Sequence, residues 1–181
     1  MESVVADTCA LVSLAIPKAD ATYDTAVDPD PLQYLLTGCD VTVPTQVEIE
    51  LREMAGYEDI HAAAATNVRA ASAHYSVVDP LDCEDAPDTL PTYGLDEGET
   101  AAIVLANAID VDALLTDEFN QLARIHALIE NSMLVPTPRL IRDYARVGYL
   151  SDVEVQQLIE TIGGHRSWEQ NNYVQAIKET L

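Results

Sequence analysis

Short apolar runs alternate with segments of helical spacing along most of this sequence. The runs, which read as strands, cover residues 3–6, 41–43, 75–78, 113–116 and 133–135. A strand that is repeatedly followed by a helix needs a crossover connection, and such crossovers produce parallel strands with helices on both faces. We therefore predict an α/β protein with three α/β/α layers around a central, mainly parallel sheet.

Helices are expected where apolar residues recur at three- or four-residue spacing and where helix start signals occur. In the first half of the chain, helices are predicted through Leu14 up to Pro17, over residues 31–37, from Pro44 onward, and over residues 59–74. After an acidic, proline-rich loop at residues 79–94, they are predicted over residues 97–108 and 118–130, and from start signals at Thr137, Ser151 and Ser167.

The length of 181 residues suits one domain with a sizeable core. We assign residues 1–150 to the α/β domain and residues 151–181 to a helical extension that packs on it. No apolar stretch reaches the ~18 residues of a membrane span. Glu2 stands where a signal peptide would carry basic residues, so a cytoplasmic location without membrane partners is expected.

The chain is strongly acidic, with 31 Asp and Glu against 9 Lys and Arg and a formal net charge of -22. Nucleic-acid binders are usually basic, which argues against that class. However, with lysine only at Lys18 and Lys178 and phenylalanine only at Phe119, the composition resembles that of proteins from extreme halophiles. At ~1 M salt the screening length is ~3 Å, so a polyanion is not repelled at long range. The net charge therefore indicates an environment of high salt, and it does not exclude a nucleic-acid substrate.

Three cysteines and four histidines lack the spacing of metal ligands or of a disulfide framework. We expect structural roles for all seven, Cys9 included.

Two predicted strands end in an acid, at Asp7 and at Asp117. The carboxyl ends of parallel strands lie along one edge of a sheet, where ligand sites form in open α/β folds. Each aspartate alone is explained more simply as a helix N-cap. Together they predict two neighbouring carboxylates at one edge.

Two glutamates lie on predicted helices that begin at the same edge. Glu50 borders the apolar face of its helix, and Glu99 lies in the first turns of another. A favourable interaction with the helix dipole explains Glu99 without any function. Glu97, two residues away, is the alternative to Glu99.

The four acids occur within four motifs that follow one another in order. They are Asp7-Thr8; Pro44, Val47, Glu50 and Leu51; Leu95, Gly98, Glu99, Ala102, Ile103, Leu105 and Ala106; and residues 114–118. Over about residues 3–150 this set resembles the PIN-domain family of metal-dependent ribonucleases. From residue 140 to residue 150, the sequence resembles a subgroup in which a leucine and arginine motif leads into added helices.

The resemblance implies that Asp7, Glu50, Glu99 and Asp117 form a catalytic cluster that holds one or two Mg²⁺ or Mn²⁺ ions. Such ions take oxygen ligands, and a two-metal arrangement activates water and stabilises the leaving oxygen. Auxiliary polar groups are expected at Thr8, Thr116 and Asn120. Glu118 lies in the same turn as Asn120, and the amide of Asn120 is a weaker ligand than a carboxylate.

RNA contacts are expected from Arg124, Arg139 and Arg142. Arg139, Arg142 and Arg146 share one helix face, and surface salt bridges are the favoured explanation for that spacing. Trp168 and Tyr173 are expected to pack in the core.

The leading hypothesis is a metal-dependent endoribonuclease, with a toxin of a toxin–antitoxin pair as one form of it. Its partners would be RNA, an antitoxin protein and a second copy of the chain in a homodimer. The alternative is a PIN-like scaffold that binds RNA or protein without catalysis. Phosphate-binding and dinucleotide-binding glycine motifs are absent. A phosphorelay receiver needs a lysine near its aspartate, and the only lysines of this chain lie at positions 18 and 178. A haloacid-dehalogenase site would require Asp where Cys9 stands.

High salt should stabilise this protein and support its activity, because screening weakens repulsion within a chain of net charge -22. We expect the melting temperature, followed by circular dichroism, to rise between dilute buffer and ~2 M KCl. RNA cleavage with Mn²⁺ should rise over the same range. A cleavage rate that peaks in dilute buffer would contradict this interpretation of the charge.

Overall fold

Five parallel strands form the centre of the molecule. The computed structural model describes residues 1–19 and 29–181. The strands in chain order are β1 (Ser3–Ala6), β2 (Asp40–Pro44), β3 (Tyr75–Val78), β4 (Ala113–Leu115) and β5 (Met133–Val135). Their order in the sheet is β3-β2-β1-β4-β5, and every pair is parallel. The predicted α/β fold class is confirmed.

Helices connect successive strands and cover the sheet. They are α1 (Thr8–Ala15), α2 (Pro31–Gly38), α3 (Thr45–Met54), α4 (Ile60–Ala70), α5 (Glu97–Ile109), α6 (Leu122–Leu128), α7 (Thr137–Arg146), α8 (Asp152–Arg166) and α9 (Asn172–Lys178). Within the described parts of the chain, no helix is both long and apolar enough to cross a membrane.

The two faces of β1 belong to different hydrophobic clusters. Val4 and Ala6 pack into the larger cluster with residues of α1, α3, α4, α7 and α8. Val5 points to the other face and packs with α5 and with Ile125 of α6. Because side chains alternate along a strand, one central strand buries both faces and joins the two helical layers. The carboxyl end of β1 is therefore deeply enclosed.

The segment after β4 is less helical than its sequence suggests. A helix was predicted over residues 118–130, but α6 covers only Leu122–Leu128. Phe119 N–H donates to Asp117 O, and Gln121 N–H donates to Glu118 O, so residues 117–121 form a tight turn. This turn redirects the chain after β4, and the longer helix prediction was wrong at both ends.

The start of the last helix was also predicted wrongly. Ser167 does not cap it; it ends α8 in the left-handed conformation, with φ 57°. Trp168 N–H closes that end on Gly163 O. Asn171 is the actual N-cap of α9, because its side-chain oxygen accepts from the N–H groups of Tyr173 and Val174. The Ser-x-x-Gln pattern that begins at Ser167 therefore lies at the end of α8 and not at the start of α9.

The C-terminal helices contribute to the main core. Val155, Leu158 and Ile162 of α8 are fully buried in the cluster that contains Val4 of β1. Trp168 is 3% exposed, and its ring meets Phe119 edge-on at a centroid distance of 5.6 Å. The segment after residue 151 therefore covers the turn that follows β4.

Replacing Trp168 by alanine should destabilise the whole protein by about 3–5 kcal/mol, because a large buried ring would leave a cavity beside Phe119. Chemical unfolding in high salt would measure the loss. The matched control is Tyr57→Ala, since Tyr57 is 69% exposed and its truncation should cost under about 0.5 kcal/mol. Equal effects of the two substitutions would show that the C-terminal helices are not part of the core.

Candidate acidic site

Asp7 lies at the buried carboxyl end of β1 and is 4% exposed. It is also the N-cap of α1, since its Oδ1 accepts from Thr8 N–H at 2.8 Å. Its Oδ2 accepts from Thr116 Oγ1 at 3.0 Å and from Cys9 Sγ at 2.9 Å. The N-cap explanation is therefore confirmed for this residue, and its role in a metal site stays a prediction.

Asp117 follows the neighbouring strand β4 and is 7% exposed. Its backbone N–H donates to Cys9 Sγ at 3.1 Å, so Cys9 links the ends of β1 and β4. Its Oδ1 accepts from the N–H of Thr137, at the start of α7, at 2.8 Å. Its Oδ2 is buried and has no hydrogen-bond partner in the described parts of the chain. A buried carboxylate oxygen without a partner is costly unless a cation or a proton reaches it.

Glu50 reaches the site from α3. Its Oε2 accepts a very short hydrogen bond from the Thr8 hydroxyl. Its carboxylate also lies against Gly98 at the start of α5, where a Cβ would come within 2.3 Å of Oε1. A side chain at position 98 would therefore force the Glu50 carboxylate to move away from α5.

Glu99 is the third residue of α5 and closes its first turn. Asp96 accepts from Glu99 N–H at 2.7 Å, and the Glu99 carboxylate accepts from Asp96 N–H at 3.2 Å. This capping box uses one oxygen of the carboxylate and leaves the side chain half-buried.

Burial, with smaller contributions from neighbouring negative charges, raises the pKa of three of these acids. Burial, with the nearby charge of Glu50 as a lesser cause, raises the pKa of Asp7 from its ordinary value of 3.8 to about 6. Burial and then Asp96 raise the pKa of Glu99 from 4.5 to about 7, with Asp7 contributing. Burial also raises the pKa of Glu50, against the hydrogen bond from Thr8.

Burial also raises the pKa of Asp117, and interactions with Ser13 and Thr137 oppose that shift, with Arg166 as a smaller opposing cause. In the described residues, no Lys, Arg or His forms a salt bridge with Asp7, Glu50 or Glu99. Among residues 1–19 and 29–181, these three acids therefore have no salt bridge to compensate their negative charge. A bound cation is one way to compensate it.

The donor atoms fit a hard divalent ion. They are carboxylate and hydroxyl oxygens, which Mg²⁺ prefers, and the Oδ2 of Asp117 is buried without a hydrogen-bond partner among the described residues. Their arrangement is open, however: residues 1–19 and 29–181 contain no group of three or more His, Cys, Asp or Glu side chains placed to hold one ion. One oxygen of Glu99 and one of Asp117 are engaged by backbone N–H groups.

The auxiliary residues divide into two groups. Thr8 and Thr116 hold the carboxylates of Glu50 and Asp7, respectively. Thr116 Oγ1 also accepts from Glu118 N–H at 3.2 Å, which fixes the turn after β4. Asn120 is exposed in that turn. The structure thus gives both threonines a positioning role and gives Asn120 no contact with the acids.

The predicted RNA-contacting arginines lie around the site in different settings. Arg124 packs its guanidinium over Gly94, where a Cβ would lie 2.9 Å away. Arg139 and Arg142 both reach Asp143, at 3.8 Å and 3.4 Å. Salt bridges to Asp143 therefore account in part for the spacing of the arginines on α7.

Two residues of the site were missed in the sequence. Cys9 was expected to be structural, yet its thiol contacts Asp7, Thr116 and the backbone of Asp117. Its position two residues after Asp7, at the start of a helix, was the available signal. Asp96 was not singled out, although its N-cap position before Glu99 predicts proximity to that residue.

Comparison with protein-family models, with curated proteins and with solved structures found no match for this chain. The function of the site therefore rests on its residues and their geometry.

Below pH 7, the metal-free protein should become more stable as the pH falls towards 5. The folded protein holds protons on Asp7 and Glu99 that the unfolded chain has lost, because their folded pKa values are about 6 and 7. Stability therefore falls as pH rises through this window. Asp7→Asn, which cannot ionise, should stabilise the protein at pH 8 by about 1–3 kcal/mol and flatten the dependence.

The measurement is the unfolding free energy with EDTA at constant high salt, from pH 5 to 8. Glu97→Gln is the matched control, since Glu97 is exposed on the same helix turn. A wild-type protein whose stability rises with pH over this range would contradict the buried, charged cluster.

Proposed function

We propose that this protein is a metal-dependent endoribonuclease of the PIN type. The observation that carries the proposal is the buried carboxylate of Asp7 at the end of the central strand, with other acids near it and no basic partner in the described chain. Thr8 connects Asp7 to Glu50, and Glu50 lies on the residue before Glu99. An arrangement this costly for stability is better explained by the binding of a cation than by folding.

In this proposal, Asp7, Glu50, Glu99 and Asp117 hold Mg²⁺ or Mn²⁺. When bound, such an ion supplies an activated water and charge stabilisation for phosphodiester hydrolysis. The chain's own contribution is to keep the carboxylates in place. Thr116 and Cys9 orient Asp7, Thr8 orients Glu50, and the start of α7 orients Asp117.

The proposed substrate is RNA, and the proposed place of action is the cytoplasm. The four-motif resemblance to the PIN family supports both, as it does the role of a toxin with an antitoxin partner and a homodimeric assembly. A small reading frame directly upstream of the gene would favour the toxin role, and its absence would favour RNA processing.

The second candidate is a PIN-like scaffold that binds RNA or protein without cleaving it. It is favoured by one observation: no three potential ligands in the described residues are grouped to hold an ion. Glu99 and Asp117 act partly as helix caps, which a scaffold would also need.

A labelled structured RNA should be cleaved with Mn²⁺ at high salt and remain intact with EDTA. Asp7→Asn and Asp117→Asn should each lower the cleavage rate by about 100-fold or more, because each removes a charged metal ligand. Cleavage would be followed on denaturing gels. Product ends should be 5′-phosphate and 3′-hydroxyl.

Glu97→Gln serves as the matched control, since it removes an equal charge two residues from Glu99 and should retain activity within about twofold. The Mn²⁺-induced rise in melting temperature should also disappear in Asp7→Asn. Metal-dependent cleavage that survives both aspartate substitutions would exclude this site. RNA binding with neither cleavage nor a metal-induced rise would favour the scaffold.

A further inference from the structure

One glycine of the acidic site stands where the backbone does not require it. Gly98 is the second residue of α5, after the N-cap Asp96. Among the described glycines, positive φ angles occur at Gly94 and Gly148, so Gly98 has an ordinary helical backbone that other residues adopt as easily. The capping box already defines the start of this helix. Neither the backbone conformation nor the helix start therefore calls for glycine at position 98.

Glycine has a cost at this position. It loses more conformational freedom on folding than alanine does, so alanine is normally the more stable residue in a helix. Gly98 is also buried, where a methyl group would add apolar area to the interior. The surroundings of Gly98 must therefore explain why a side chain is absent.

The explanation lies in the carboxylate of Glu50. A β-carbon on residue 98 would lie 2.9 Å from both Cδ and Oε2 of Glu50, and closer still to Oε1. These distances are well below the about 3.5–4.0 Å of an ordinary contact between non-bonded carbon atoms. The Glu50 carboxylate therefore occupies the space that a side chain at position 98 would take.

The glycines of α8 provide a comparison. At Gly163 a β-carbon would make an ordinary contact, 3.6 Å from Trp168 Cβ, and at Gly164 nothing lies within 4 Å. Gly38, at the end of α2, also has open space around it. Among the helical glycines that the structure describes, Gly98 is thus the one whose missing side chain is replaced by a carboxylate.

Gly98 and Thr8 fix the Glu50 carboxylate from two sides. The Thr8 hydroxyl donates to Oε2 of Glu50, while the same carboxylate lies against Gly98. Thr8 directly follows Asp7, and Gly98 directly precedes Glu99. Glu50 therefore bridges the start of α1 and the start of α5, and its position sets the spacing of three candidate metal ligands.

The Glu50 side chain has reason to leave this place if it loses its room there. Burial raises the pKa of Glu50, and the charges of Asp96 and Glu97 raise it further. The side chain is half-buried and flexible, so the carboxylate can turn out towards water, where its charge is better solvated. A methyl group at position 98 would therefore cost the fold little and would displace the carboxylate.

We propose that Gly98 is a positioning residue of the acidic site, whose missing side chain lets the Glu50 carboxylate lie between Thr8 and α5 as a ligand of a divalent ion. The inference rests on the proposed function, because that ion is the group for which Glu50 is positioned. Gly98 offers no ligand atom of its own side chain. Its role in metal binding follows from the space that it leaves.

The test separates metal binding from folding in the full-length protein. Gly98→Ala is compared with Gly164→Ala, the matched control at a helix glycine with open space around it. Affinity for Mn²⁺ alone is measured at constant high salt from the electron paramagnetic resonance signal of the free ion. The melting temperature is measured in EDTA by circular dichroism.

Gly98→Ala should bind Mn²⁺ about 10-fold to 100-fold more weakly, which is the range for residues that orient metal ligands. In EDTA its melting temperature should be unchanged or up to about 4 °C higher, because alanine is the better helix former. Gly164→Ala should raise the melting temperature similarly and should bind Mn²⁺ as tightly as the wild type. A crystal structure of Gly98→Ala should show the Glu50 carboxylate displaced from Thr8.

A double-mutant cycle checks that the effect passes through Glu50. In a Glu50→Ala background, Gly98→Ala should cause no further loss of Mn²⁺ affinity, because the carboxylate that it displaces is already gone. An equal loss with and without the Glu50 side chain would overturn the proposal.

Equal Mn²⁺ affinity of Gly98→Ala and the wild type would overturn the proposal and leave the nuclease intact. A large fall in melting temperature in EDTA would also overturn it, because the glycine would then serve the packing of α5. A wild-type protein that binds no Mn²⁺ would exclude the proposed function together with this role. Mn²⁺ binding that depends on Gly98, without cleavage of RNA, would retain the positioning role and exclude the nuclease.

Discussion

The site depends on the hydrogen bonds that hold Asp7 at the end of β1. This strand lies in the middle of the sheet, so its carboxyl end is enclosed by both helical layers. The Asp7 carboxylate accepts from a backbone N–H, a hydroxyl and a thiol, two of them within the next two residues. These bonds keep a carboxyl group in a place where burial opposes its charge. Glu50 and Asp117 are then positioned from the neighbours of Asp7, through Thr8 and Cys9.

The same contacts give several residues two roles. Asp7 and Asp96 cap helices, Glu99 closes a capping box, and Asp117 receives the start of α7. A cap stabilises a helix by about 1 kcal/mol, which offsets part of the cost of gathering acids at one edge. Structural and chemical explanations of these residues are therefore not alternatives. Glu99 and Asp117 each accept a backbone hydrogen bond at one carboxylate oxygen, whereas both oxygens of Asp7 are engaged.

The acidity of the chain and the acidity of the site are separate matters. Most of the 31 acids are dispersed, and their excess is consistent with a protein adapted to salt. On α7, three arginines share the carboxylate of Asp143. In concentrated salt, long-range attraction is screened, so such ion pairs depend on close, oriented contacts.

The sequence by itself determined the architecture and the strand-end acids. Alternating strands and helices specified a parallel sheet, and parallel strands specified that Asp7 and Asp117 share an edge. It did not determine the turn after β4 or the start of α9, because residues 118–130 and Ser167 carry helix signals that tertiary contacts override. Nor did it identify Cys9, because its position two residues after Asp7 gives no sign of the contacts with Thr116 and Asp117, which depend on the packing of α1 against β4.

Only the tertiary structure decided what surrounds each carboxylate. The close approach of Glu50 to Gly98, the unpartnered oxygen of Asp117 and the shared Asp143 all join residues from different elements. Local propensity and periodicity describe one element at a time, whereas these contacts depend on how α3, α5, α7 and α8 pack on the sheet. The sequence therefore identifies the candidate acids, and packing determines their pKa values and their hydrogen-bond partners.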